Sequence, residues 1–188
     1  MKKIAVLFPG IGYHCDKPLL YFSRKAAQEA GYEEILPLSY VCDTAGIFRN
    51  PEKMRTAGEA LYLQAEEALK EVRWQEYDDI LLISKSVGTG IAAAYAKRHA
   101  ISCRNVFFTP VALTFEEHPC NGIAFTGSRD PWVETEIIVQ GCREAGLALT
   151  VVEGGNHSLE TGDTLTDLTI LRNVIEEVHR YLRREESL

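Results

Sequence analysis

Ser86, Asp130 and His157 are the residues whose types and order can do acyl-transfer chemistry. Ser86 lies in Ser84-Lys85-Ser86-Val87-Gly88-Thr89-Gly90, Asp130 in Thr126-Gly127-Ser128-Arg129-Asp130-Pro131, and His157 in Glu153-Gly154-Gly155-Asn156-His157-Ser158. A serine hydroxyl becomes a nucleophile when a positioned imidazole takes its proton, and a carboxylate fixes the tautomer of that imidazole. Each residue also has an ordinary reading. Ser86 suits a helix N-cap, Asp130 suits one before a proline at the first helical position, and a histidine after two glycines suits a solvated loop. Their joint placement argues for more. Each follows a short apolar run, in the chain order Ser, Asp, His, and unrelated caps and loop residues seldom fall into that order.

Those runs belong to a regular alternation. Ile4–Phe8 reads as a strand buried on both faces and stopped by Pro9-Gly10. Further strands are expected at Glu34–Tyr40, Asp79–Ile83, Asn105–Phe108, Gly122–Phe125 and Leu147–Val152, with Pro37 weakening the second or putting it near an edge. Helical patterns cover 18–30 (stopping at Gly31), 52–74, 88–99, 131–144 and about 163–184. The second helix offers Ala57, Leu61, Leu63, Ala65 and Leu69 as an inner stripe, and the last offers Leu165, Leu168, Leu171, Ile175, Val178 and Leu182. Six strands alternating with helices, without repeat or linker, predict one α/β domain over residues 1–188, a doubly wound, mostly parallel six-stranded sheet flanked by helices. In such a sheet ligands bind beyond the carboxyl ends of the strands, which is where Ser86, Asp130 and His157 fall.

On these segments the chain resembles the α/β-hydrolases, of the small cap-less kind related to dienelactone hydrolases, over nearly its whole length. FPGIGYHCDKP matches the oxyanion loop, SKSVGTG the nucleophile elbow, FTGSRDPWV the acid turn and EGGNHSLE the histidine loop. The resemblance implies a Ser86–His157–Asp130 triad and an oxyanion hole from the backbone N–H groups of Ile11 and Val87. Gly10 and Gly12 would let the first loop approach the acyl oxygen. Substrate would be bounded by Gly10, Gly12, Tyr13 and Lys85. Two departures stand out: Ser84 replaces the usual elbow glycine, and Lys85 stands beside the nucleophile.

Competing readings weigh less. PGIGYH lacks the third glycine of a dinucleotide fingerprint, and no P-loop pattern is present. Glu153 is an alternative acid only four residues from His157. His14 is a pocket or surface residue, and His99, His118 and His179 read as surface or helix-end residues. No histidine and carboxylate spacing suggests a metal, so neither metal nor cofactor is expected. A thioesterase or acyl-peptide hydrolase would use the same residues. A flavodoxin-like domain binding anions at SKSVGTG and PGIGYH is the rival from outside the enzymes.

The 188 residues carry 20 Lys and Arg against 27 Asp and Glu, a formal charge of -7, which disfavours nucleic acid and anionic membranes as partners. Cys15, Cys42, Cys103, Cys120 and Cys142 form no CxxC pair and read as reduced thiols in the cytoplasm. The run Ile4–Phe8 is shorter than a signal peptide needs, and no run approaches the ~20 apolar residues of a membrane span. A small-molecule ester is the expected partner, and a homodimer stays open. Thr109–Asn121 has room for one short helix and no lid, so an open site is expected.

Overall fold

The computed structural model describes residues 1–42, 46–47 and 50–183. Strand β1 (Lys3–Phe8) is the centre of the fold's logic: all five residues from Ile4 onward are buried, so both of its faces need cover. Its even residues Ile4, Val6 and Phe8 face one hydrophobic layer and its odd residues Ala5 and Leu7 another, as the two-residue period of a strand requires. The other elements follow as α1 (Pro18–Glu29), β2 (Glu34–Pro37), α2 (Pro51–Leu69), β3 (Asp79–Lys85), α3 (Val87–Arg98), β4 (Arg104–Phe108), α4 (Ala112–Glu116), β5 (Gly122–Gly127), α5 (Thr135–Ala145), β6 (Ala148–Val152) and α6 (Thr164–Leu182).

The six strands form one sheet in the order β2-β1-β3-β4-β5-β6, every neighbouring pair parallel. Helices α1 and α6 cover the face of Ala5, Leu7, Leu81, Ile83, Val106, Phe108 and Phe125. Helices α2 and α3 cover Ile4, Val6, Phe8, Ile80 and Leu82, and α5 covers Phe107 and Ala124 with Ile138 and Cys142. The register pairs Lys85 with Phe108, Phe108 with Phe125 and Gly127 with Val152, so the carboxyl ends of β3 to β6 come level along one edge. Parallel pairing is what puts these ends together, since every strand enters from the same side.

Some boundaries differ from the sequence reading. The second strand stops at Pro37, which has no N–H for the ladder, and β2 lies at the sheet edge. Helix α2 ends at Leu69, so residues 70–73 of the expected helix lie outside it, and Trp74 opens a short 3-10 turn, Trp74–Glu76. Leu63 is 68% exposed because two residues past Leu61 is about 200° round the helix. Helix α5 starts at Thr135, four residues after Pro131. In α6 the outer leucines Leu165 and Leu168 are exposed, contact with the core begins at Ile170 and Leu171, and Val174, Val178 and Leu182 are buried. Arg184 lies outside the described residues. Among the described residues no helix is long and apolar enough to cross a membrane.

Candidate active site

One residue separates β3 from α3, and it is Ser86, with φ 55 and ψ -129. A non-glycine residue with this backbone costs on the order of 1–3 kcal/mol and persists only where its surroundings hold it. Its N–H donates to Phe108 O at 2.9 Å, which ties the turn to β4. The hydroxyl makes no capping bond to α3, so the ordinary N-cap reading of this serine fails. Two close approaches build the turn. A Cβ on Gly88 would collide with the carbonyls of Phe8 and Pro9, and one on Gly10 would stand 3.1 Å from Ser86 Cβ. Ser84 replaces the usual glycine without harm: it is fully buried and its hydroxyl donates to Val106 O at 3.3 Å.

The turn after β5 carries Asp130. Ser128 and Arg129 N–H donate at 2.9 Å to Val152 O and Gly155 O, and Gly155 leaves no room for a side chain at Gly127. Asp130 Oδ1 accepts from Trp132 N at 2.9 Å, and Oδ2 lies 2.6 Å from His157 Nδ1. Asp130 therefore does not cap α5, which begins later. His157 comes from the loop after β6, where Asn156 Oδ1 accepts the N–H groups of Ser158 and Glu160, and Gly154 N–H donates to Ser128 Oγ. His157 Nε2 stands 2.7 Å from Ser86 Oγ. The three side chains thus form one hydrogen-bonded chain. Since an ionised carboxylate only accepts, the proton sits on Nδ1 and Nε2 is free to accept from the serine.

Electrostatics favour the neutral ring. Burial pushes the His157 imidazole below its ordinary value and the nearby Lys85 charge adds to this, against the opposing pull of Asp130. The side chain of Asp130 is 1% exposed, so His157 is the partner that its buried oxygen needs. Glu153, the alternative acid, is exposed, and the Nδ1 position it would need is already taken by Asp130.

The residues expected to form an oxyanion hole, Ile11 and Val87, stand on two different segments. Gly10 and Tyr13 exchange two backbone bonds of 3.2 Å, with Gly12 at φ 72, so Ile11 sits at the tip of a tight turn. Val87 is the first residue of α3, where helix geometry leaves N–H groups without an intrahelical partner.

Two residues expected at the substrate are largely covered. Tyr13 is 7% exposed and lines a cleft with Leu19, Ser158 and Leu159, and Lys85 is 1% exposed. Strand alternation is the reason: Lys85 shares its face of β3 with Leu81 and Ile83, on the α1/α6 side. Tyr13 lies over it, with Lys85 Nζ 5.0 Å from the ring, and its hydroxyl accepts Leu19 N–H at 3.1 Å in the first turn of α1.

His14 is exposed, its Nδ1 accepting from Asp16 N at 3.3 Å. His99 and His179 pair with Glu66 and Glu29 away from the site. Among the described residues no group of three His, Cys, Asp or Glu can hold a metal ion. The sequence reading missed Thr109 and Trp132. Thr109 directly follows β4 and donates to His157 O at 3.2 Å, and Trp132 packs its ring 5.6 Å from the imidazole. Position after a strand is the signal that finds Thr109.

Between β4 and β5 stands only the five-residue α4, and beside it opens a cleft of about 470 Å³ lined by Met54, Val111, Leu113, Trp132 and Val133, with Arg55 and Glu116 paired at 3.3 Å.

This architecture, a parallel sheet with a strand–serine–helix elbow and no lid between β4 and β5, is the α/β-hydrolase fold. No family model and no curated protein matches the chain. Solved structures do. An α/β serine hydrolase homologue from Coxiella burnetii is 17% identical with a TM-score of 0.66, over 95% of this chain and 84% of that one. A serine hydrolase without lid from Xanthomonas campestris is 13% identical with a TM-score of 0.60, over 97% and 84%. An esterase from Pyrococcus furiosus is 12% identical with a TM-score of 0.67, over 97% and 83%. At these identities the likeness establishes the fold, and activity must be argued from the site.

Proposed function

We propose that the protein is a serine hydrolase that cleaves carboxylic esters of small soluble substrates through an acyl-enzyme on Ser86. The observation that carries this is the unbroken chain from Ser86 Oγ through His157 to Asp130, at 2.7 and 2.6 Å, on a strained serine turn. A flavodoxin-like anion site has no use for a histidine bonded to that serine.

In this reading Ser86 Oγ attacks the ester carbonyl while its proton passes to His157 Nε2. The tetrahedral oxyanion is held by the N–H groups of Ile11 and Val87, each worth about 3 kcal/mol in the transition state. The C–O bond then breaks and the leaving alkoxide takes the proton from His157. Water repeats the sequence on the acyl-enzyme, giving its proton to His157 and releasing the acid, and Ser86 recovers its hydrogen. Asp130 keeps the imidazole oriented and balances its transient charge. No step needs a metal, and chelators are expected to leave the rate unchanged.

The absence of a lid helix between β4 and β5 limits how much acyl surface is buried, at about 0.8 kcal/mol per CH₂. Short acyl esters are therefore favoured, with the cleft at Leu113 and Trp132 taking an apolar group of modest size. A fluorophosphonate probe tests the reaction class: stoichiometric labelling of Ser86, absent from Ser86→Ala, supports it, and an unlabelled wild type refutes it. A p-nitrophenyl ester series tests the substrate class, since kcat/KM peaking at long acyl chains contradicts an open site.

A further inference from the structure

Lys85 is the last residue of β3, immediately before the nucleophile, and it has no part in the steps above. Its side chain is among the largest fully buried ones in the protein, on a face otherwise made of Leu81, Ile83, Val106, Phe108 and Phe125. Among the described residues no carboxylate is within ion-pair distance of it. Its Nζ donates instead to Thr109 Oγ1 at 2.5 Å, and Thr109 Oγ1 donates onward to the His157 carbonyl at 3.2 Å.

Thr109 is itself unusual. It is fully buried, β-branched and held at φ 41, where a glycine or asparagine would sit with less strain. Its N–H donates to Phe125 O at 2.7 Å, which extends the sheet ladder by one step and fixes the turn. A buried cation without a counter-ion and a threonine in a left-handed turn are both unfavourable for folding. They meet at one hydroxyl, and that hydroxyl reaches the histidine loop.

We propose that Lys85 is a positioning residue for His157: its ammonium grips the histidine loop through the Thr109 hydroxyl and places a positive charge near the imidazole. The proposal rests on the serine-hydrolase reading given above. The grip keeps Nε2 at hydrogen-bond distance from Ser86, and the charge disfavours a second proton on the ring. The charged and titratable groups acting on Lys85 are Asp130 from the β5–α5 turn, Glu160 and His157 from the loop after β6, and Lys17 and Tyr13 from the segment before α1. Those acting on His157 are Asp130 and Lys85. Burial lowers Lys85 to about 7, so the ammonium is still charged in the more acidic range where His157 titrates.

The rate of fluorophosphonate labelling, read against pH, tests this without a known substrate. In that reaction Ser86 Oγ bonds to phosphorus, fluoride leaves and the serine proton goes to His157. In Lys85→Met the acid limb of the labelling rate is expected to move up by on the order of one pH unit, because removing a like charge makes the imidazole easier to protonate. Thr109→Val, which keeps the charge and removes the hydroxyl, should lower the plateau rate about tenfold and leave the limb in place. Thr109→Ser should restore the plateau. An NMR titration of the His157 ring in wild type and Lys85→Met reads the same shift directly. A limb that stays put in Lys85→Met, or a full plateau rate in Thr109→Val, overturns the proposal alone. A wild type that is not labelled overturns the hydrolase reading and this proposal with it.

Discussion

Strand β3 begins and ends on a charge, and the two ends are built differently. At its start Asp79 is 15% exposed, accepts the Tyr32 hydroxyl at 2.7 Å, and has Lys3 and Arg104 at 3.6 and 3.7 Å. Arg104 also stands over the Tyr181 ring and donates to the Leu182 carbonyl, so this cluster ties β1, β3 and β4 to the end of α6. Every charge there has an opposite partner. At the other end Lys85 is 1% exposed and has a hydroxyl and an aromatic ring where a carboxylate would be expected. The first arrangement is what a fold uses to pin its elements. The second weakens the fold locally, and it lies within three residues, in chain or in hydrogen bonds, of Ser86 and His157. At this carboxyl edge Lys85 has no opposite charge beside it and Ser86 and Thr109 both have positive φ, a backbone that Ala100 and Asn121 also adopt before β4 and β5.

The sharpest way to break this comparison is to remove the chemistry and watch the fold. Ser86→Ala should reduce ester turnover at least a thousandfold and leave the melting temperature within a few degrees of wild type. A large loss of stability would mean that the carboxyl edge is also a structural pin. His157→Ala should be comparable in activity, since the members of such a triad act as a unit.

Next in size is the effect of Lys85 on stability. Its folded value of about 7 lies below the ordinary 10.5, so between those pH values the unfolded chain binds more protons than the folded one. Wild-type stability should therefore rise with pH across that window. Lys85→Met lacks this gain: its stability advantage over wild type should be largest near pH 6 and fade toward pH ~10. Denaturant melts at three pH values read it, and a constant difference would show that Lys85 is buried without electrostatic penalty.

The opposite end should behave in the opposite way. Asp79→Asn leaves two cations unbalanced and is expected to lower stability by about 2 kcal/mol, while the labelling rate per folded molecule stays the same. A change in that rate would couple the two ends of β3. The smallest effect expected is that of Leu63→Gln, under about 0.5 kcal/mol, because this leucine faces solvent on α2.

Much of this was legible in the residues. Ile4–Phe8 and Ile80–Ile83 are apolar throughout, which suits a strand covered on both faces, and their alternation with helical periods leads to a parallel sheet. Pro37 marked the edge. Ser86, Asp130 and His157 stood out because each follows such a run. What misled was local ambiguity. Pro131 suits a helix start, yet Asp130 turns its carboxylate to His157 and its other oxygen to Trp132 N–H, which holds residues 131–134 out of the helix. Leu63 satisfied a loose apolar count and failed the 100° step of a helix. Lys85 was singled out because it adjoins Ser86, and strand alternation with Leu81 and Ile83 sets it on the α1/α6 face.

The sequence by itself determined the order and type of the elements, since helix and strand periods are written within a few neighbouring residues. It also determined which residue types stand at each strand end. Only the tertiary structure decided that Ser86 and His157, 71 positions apart, meet at 2.7 Å, and that Thr109 joins Lys85 to the histidine loop. Those contacts depend on the register of four parallel strands and on turns such as Ser86 and Thr109 whose backbone is unfavourable in isolation. Such turns exist because the packed sheet holds them, and no local pattern encodes them.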